Sequence, residues 1–131
     1  MARLTVVDTS VLLAWLEPDE PHHRVAVEGL GEARSAGDLA IPVTAFAEVL
    51  VRPYRQSPQA GRRVERKLTE IGSVVPTSIE VGRRAAQLRA SVQLKLPDAL
   101  IVATGLELKA AAILTLDQRW SGIDPCVRVL C

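Results

Sequence analysis

What restricts this chain most is an alternation: short runs rich in β-branched residues recur between longer stretches with helical apolar spacing. Leu4–Val7 predicts a buried strand; Asp8-Thr-Ser follows it, with Thr9 or Ser10 able to cap a helix over Val11–Leu16. Glu17-Pro-Asp-Glu-Pro breaks that helix, and Val25, Ala26, Leu30 and Ala33 predict a second one from His22 to about Ala36, ended by Gly37. Leu39–Ile41 predicts a strand. Pro42 then starts a third helix, with Ala45, Phe46, Val49 and Leu50 turned to a core. Pro53 and Pro58 predict a bracketed loop, Gln59–Ile71 a basic helix ended by Gly72, and Val74-Val75 a short strand closed by Pro76. Ser78 with Val81 begins a helix running to about Gln93, and Pro97 opens another, Asp98–Lys109. That last helix is apolar on most faces, which predicts burial. Ala112–Leu116 predicts a strand, Asp117–Trp120 a turn or short helix, and Val127–Leu130 a final strand. Strands that alternate with helices argue an α/β domain with a mostly parallel sheet and helices on both faces.

Length and composition narrow the function classes. The 131 residues suit one domain, 1–131, with no repeat, low-complexity segment or linker to divide it. At 48% hydrophobic and 24% charged, the chain reads as globular rather than disordered. No apolar run reaches the roughly 20 residues a membrane span needs. Leu4–Leu16 is interrupted by Asp8 and lacks a basic leader and cleavage site, so no signal peptide is expected. The expected location is the cytoplasm, with no membrane partner. Cys126 and Cys131 make neither a disulfide framework nor a zinc site and are expected as incidental thiols on the last strand. The net charge of +1 does not mark a nucleic-acid binder. Its distribution says more: Arg52, Arg55, Arg62, Arg63, Arg66 and Lys67 face only one acid, Glu65, between residues 52 and 67. Such a stretch is either a solvated helix face laced with ion pairs or a phosphate-holding surface.

The acids carry the chemistry. Asp8 follows the first apolar strand and Asp117 follows Ala112–Leu116, and open α/β sheets bind ligands at the carboxyl ends of their strands. Asp98 lies in the first turn of the most apolar helix, where the helix dipole favours negative charge. Glu48 interrupts the apolar stretch Val43–Val51. Each has an ordinary reading: Asp8 and Asp98 as helix caps, Asp117 as a turn former, Glu48 as an exposed helix residue. Taken together, all four interrupt apolar segments, and right-handed crossovers can bring strand ends and helix starts to one edge of the sheet. Two like charges about 4 Å apart repel by roughly 4 kcal/mol at an effective dielectric near 20. Four converging carboxylates therefore take up protons or bind a hard cation, and oxygen ligands suit Mg²⁺ or Mn²⁺. Acids without a histidine or cysteine partner point to metal-assisted phosphodiester hydrolysis.

At these residues the sequence resembles the PIN-domain family, and in particular its VapC-type toxin ribonucleases. Val7-Asp8-Thr9-Ser10-Val11-Leu12-Leu13-Ala14 resembles the family's first motif, and Thr44-Ala-Phe-Ala-Glu48-Val-Leu its second. Pro97-Asp98-Ala99-Leu100-Ile101-Val102-Ala103-Thr104 resembles the third, and Leu114-Thr115-Leu116-Asp117 with Trp120 the fourth, Trp120 standing where the family commonly has Phe. The resemblance implies a Rossmann-like α/β three-layer sandwich. It also implies a Mg²⁺- or Mn²⁺-dependent RNA endonuclease that cuts structured RNA such as tRNA or rRNA. The implied partners are a VapB-like antitoxin and a second copy of the chain in a homodimer. Carried over, Asp8, Glu48, Asp98 and Asp117 are catalytic and hold the metal or position water, and Ser10 and Thr115 support them by hydrogen bonds. Arg52, Arg55, Arg62, Arg63 and Arg119 are candidates for holding the RNA backbone.

Other readings compete. A haloacid-dehalogenase-type phosphatase would carry a second Asp two residues after the first, where Ser10 stands, and a response-regulator receiver would carry an Asp near mid-chain, yet none lies between Asp38 and Asp98. A non-catalytic binding module would keep the acids for structure or metal storage; acid-dependent hydrolysis of RNA separates it from an enzyme. His22-His23 point apart on a helix and are weak ligand candidates, and Trp15 and Trp120 read as core more readily than as base-stacking platforms.

Overall fold

The computed structural model describes residues 3–131. Its strands are β1 (Arg3–Val7), β2 (Gly37–Pro42), β3 (Ser73–Val75), β4 (Ala112–Thr115) and β5 (Val127–Val129). They form one sheet in the order β3-β2-β1-β4-β5, parallel at every pairing. β1 is the central strand, with Val6 opposite Ala40 of β2 on one side and Ile113 of β4 on the other. The apolar runs are continuous rather than alternating because both faces are covered, as parallel sheets require. Chain order climbs from β1 through β2 to β3 on one side, then returns to place β4 on the other. The point of reversal lies between β1 and β4, and a doubly wound sheet opens its ligand crevice at the carboxyl ends of such strands.

Six helices cover the sheet: α1 (Thr9–Leu16), α2 (His23–Ala36), α3 (Val43–Gln56), α4 (Pro58–Ile71), α5 (Ile79–Ser91) and α6 (Leu96–Glu107). α2 lies over the face that carries Thr5, Ala112 and Leu114. α6 lies over the opposite face, where a Cβ at Gly105 would run into the side chain of Ile113 and approach Val6. Glycine there lets α6 sit directly on β1 and β4. That is consistent with its burial, since Ala99, Ile101, Val102, Ala103, Thr104 and Gly105 are all buried. The result is an α/β three-layer sandwich. None of its described helices is long and apolar enough to cross a membrane.

Three expectations change. The loop between Pro53 and Pro58 shrinks to Ser57, because α3 continues through Pro53 to Gln56. Proline forfeits its own N–H, but its carbonyl still accepts, and here it closes the last turn by taking the Ser57 N–H at 3.1 Å. Ser57 then caps α4 by accepting from Ala60 N at 3.0 Å, with Pro58 at the tolerated first position. α1 begins at Thr9, two residues early, so neither Thr9 nor Ser10 is its cap. Cys126 and Cys131 flank β5 rather than lying on it, the first half-buried with its thiol pushed up to about 11 by burial and the Asp124 carboxylate, the second exposed.

Candidate active site

Asp8 is the first residue past β1. Its backbone N–H reaches across to Leu114 O at 2.9 Å, extending the ladder to β4 by one rung. It occupies the N-cap position of α1, but its side chain makes no capping bond. The carboxylate instead takes two hydroxyls on one oxygen: Ser10 Oγ donates to Oδ2 at 2.7 Å and Thr115 Oγ1 donates to the same atom at 2.8 Å. Neither hydroxyl stops there. Ser10 Oγ accepts from Leu116 N at 3.0 Å, and Thr115 Oγ1 accepts from Asp117 N at 3.0 Å. The two hydroxyls therefore stitch the end of β1 to the end of β4. Asp8 is only 4% exposed. Burial pushes its proton affinity up and the Asp98 charge adds to the push, while the two hydroxyl bonds oppose it.

Asp98 stands in the first turn of α6, where Lys95 is the N-cap residue, so the capping reading fails for it too. Half-buried, it has no side-chain hydrogen bond or ion pair among the described residues. Burial raises its pKa first, and the charges of Asp117 and Glu48 raise it further, against Arg119 and Lys95. Glu48 is exposed on α3, one helix turn past Thr44, but it is not idle: Thr9 Oγ1 donates to its Oε1 at 2.6 Å. Asp117 starts a short 3-10 turn, Gln118–Trp120, and accepts from Arg119 N at 2.9 Å, so its turn-forming reading holds alongside any other. Arg119 also grips it with its guanidinium, Nε to Oδ1 at 3.0 Å and Nη2 to Oδ2 at 2.7 Å. That grip holds the Asp117 carboxyl below its ordinary range.

Asp98 thus links the acids at the carboxyl end of the sheet: it feels the charges of Asp117 and Glu48, and Asp8 feels that of Asp98. Among the described residues, no three Asp, Glu, His or Cys side chains stand close enough to enclose a metal ion as they lie. Asp117 is turned to Arg119 and Glu48 to Thr9. The chemistry of the donor set nonetheless suits a hard divalent cation. All four are oxygen donors, Asp8 Oδ1 takes no hydroxyl, and Asp98 is an unpaired carboxylate facing like charges.

The basic residues divide. Arg52 and Arg63, with Lys67, line an open groove of about 440 Å³ together with Leu13, Leu16 and Val49, and Glu17 and Glu20 also line it. Arg55 and Arg62 are exposed on the same two helices but do not line it. Among the described residues, none of Arg52, Arg55, Arg62 and Arg63 is ion-paired, so the laced-face reading of this stretch does not apply to them. Arg119 lies apart from them, on Asp117. His22 and His23 stay with Glu20 and the Ala14 carbonyl, away from the acids. Trp120 is 1% exposed, which makes it core.

Two participants escape a sequence reading. Thr9 holds Glu48 across 39 residues, and its only signal is adjacency to Asp8. Lys95 sets a positive charge near Asp98 and Asp117, flagged only as the lone lysine before Pro97-Asp98.

Comparison with known proteins gives a consistent result. A family model described as PIN domain matches residues 5–124. No curated protein matches. Among solved structures, a toxin–antitoxin complex from Klebsiella pneumoniae is similar at 24% identity and a TM-score of 0.77, covering 95% of this chain and 96% of that one. VapBC2 from Rickettsia felis, bound to a DNA fragment from its promoter, is similar at 12% identity and a TM-score of 0.80, covering 98% and 99%. VapC20 from Mycobacterium tuberculosis, a toxin that cleaves the sarcin-ricin loop, is similar at 15% identity and a TM-score of 0.77, covering 97% and 99%.

Proposed function

Because this chain belongs to the PIN domain family, we propose that it is a Mg²⁺- or Mn²⁺-dependent RNA endonuclease, the toxin of a type II toxin–antitoxin pair. The observation that carries the reading is Asp8: a buried carboxylate at the sheet's reversal point, fixed on one oxygen by Ser10 and Thr115, in the field of Asp98, which in turn feels Glu48 and Asp117. Asp8, Asp98, Glu48 and Asp117 would hold the cation. When bound, it supplies the charge and Lewis acidity that phosphodiester hydrolysis needs.

The chain's own residues do the rest. Ser10 and Thr115 hold the Asp8 carboxylate by Oδ2 and leave Oδ1 without a hydroxyl for the cation, and Thr9 holds Glu48 by one oxygen. Asp98, a half-buried carboxylate in the first turn of α6, would hold the cation or position the attacking water. Arg52 and Arg63 hold the RNA backbone in their groove, and Arg55 and Arg62, exposed on the same two helices, add to the basic surface. Similar structures include a VapBC pair and a toxin that cleaves the sarcin-ricin loop, which supports a VapB-like antitoxin and a structured RNA substrate such as tRNA or rRNA. A homodimer acting in the cytoplasm completes the proposal.

The test is cleavage of a structured RNA pool by the purified protein, wild type against Asp8→Asn, with Mg²⁺, Mn²⁺ or a chelator. Cutting that needs the metal and falls at least about 100-fold in the variant is the expected result. Equal cutting by both proteins, or none under any metal, overturns the nuclease and leaves a binding module.

A further inference from the structure

Arg119 is set apart from the other basic residues by what it touches. Three of its N–H groups converge on one carboxylate: the backbone N and Nε reach Oδ1 of Asp117, and Nη2 reaches Oδ2. Its side chain occupies both oxygens of an acid whose charge Asp98 feels. The two partners are unequally held. Asp117 is anchored through its backbone to Thr115 Oγ1, and its side chain is 21% exposed. The Arg119 side chain is 74% exposed and makes no other ion pair among the described residues, so it can swing away without disturbing any packing. A guanidinium fork that fits a carboxylate fits a phosphate equally well, and the remaining Nη1 faces no carboxylate.

We propose that Arg119 is a latch on Asp117: in the free protein it occupies both carboxylate oxygens, and an incoming RNA phosphate draws the guanidinium off and frees Asp117 for the cation. The inference rests on the nuclease reading above and adds an order of events to it. No bond is made or broken; one ion pair is exchanged for another. By linkage, a ligand that removes the latch strengthens cation binding, and the cation strengthens binding of that ligand by the same factor.

Calorimetric titration of the full chain with Mn²⁺ tests this, using wild type, Arg119→Ala and Arg119→Lys, each with and without a 2′-O-methyl oligoribonucleotide. Without the oligonucleotide, Arg119→Ala is expected to bind Mn²⁺ about two- to fivefold more tightly than wild type, the worth of an exposed bidentate pair. Arg119→Lys, which keeps the charge and loses the fork, falls between them. The oligonucleotide tightens Mn²⁺ binding to wild type by a larger factor than to Arg119→Ala, whose gain is only what the phosphate itself adds; equal gains overturn the latch. Equal or weaker Mn²⁺ binding by Arg119→Ala overturns the latch and leaves the nuclease reading standing. An absence of Mn²⁺ binding in all three proteins overturns both.

Discussion

Asp8 and Asp117 sit at the carboxyl ends of two adjacent parallel strands, and their surroundings are opposite. Asp8 is buried, and its carboxylate meets the hydroxyls of Ser10 and Thr115 and no cationic side chain. Asp117 opens onto a turn whose Gln118 and Arg119 are exposed, and it meets a guanidinium. Burial raises the proton affinity of the first, and the arginine lowers that of the second. The backbone of a doubly wound sheet therefore delivers acids to one crevice, while the residues next to each acid decide how it behaves. One becomes a fixed post, the other an adjustable one.

The sharpest way to break this contrast is activity. Asp8→Asn should lower RNA cleavage by at least about 100-fold, whereas Asp117→Asn should cost nearer 10-fold, the order of a group that tunes a metal site rather than founding it. Equal losses in single-turnover rates would erase the distinction. Next in size is Thr115→Val, which keeps the shape and removes the hydroxyl that serves Asp8 and the Asp117 N–H together. Thr115 is fully buried, so stability should fall by about 1–3 kcal/mol in urea unfolding. A change within a few tenths would show that the stitch holds nothing.

The smallest effects lie in pH dependence, where the two acids should differ in sign. Asp8 has a folded pKa above its ordinary 3.8, so folding favours its protonated form, and its charge subtracts from stability above the folded pKa. That penalty fades as pH falls through the raised value toward 3.8. Asp117 has a lowered pKa; it adds stability above 3.8 and loses it as pH falls through the lowered value. In a chelator at neutral pH, Asp8→Asn should therefore raise the melting temperature and Asp117→Asn lower it, both differences shrinking in acid. Shifts of the same sign would contradict the assigned environments.

The sheet was legible because parallel strands buried on both faces read as unbroken apolar runs; Leu4–Val7 and Ala112–Leu116 announce themselves and place the acids that follow. α6 was legible by its apolar girth. The continuation of α3 through Pro53 was not, since a local rule about proline cannot weigh the burial of Val49 and Leu50 one turn earlier. Asp8 and Asp98 both looked like caps, and whether a carboxylate turns to its own helix or across the crevice depends on hydroxyls 2 and 107 residues away. The Thr9–Glu48 bond and the grip of Arg119 are likewise facts of side-chain direction, which spacing alone does not encode.

The hydroxyl of Thr115 and the carboxylate of Asp8 are separated by 107 residues of chain. The acid is made early in translation and its anchor late. Until β4 has emerged and paired with β1, a nascent chain holds Asp8 with no crevice to aim it into. A fragment that ends just before β4 carries Asp8, Glu48 and Asp98 but neither Thr115 nor Asp117, so it has three of the acids without the strand that anchors the first.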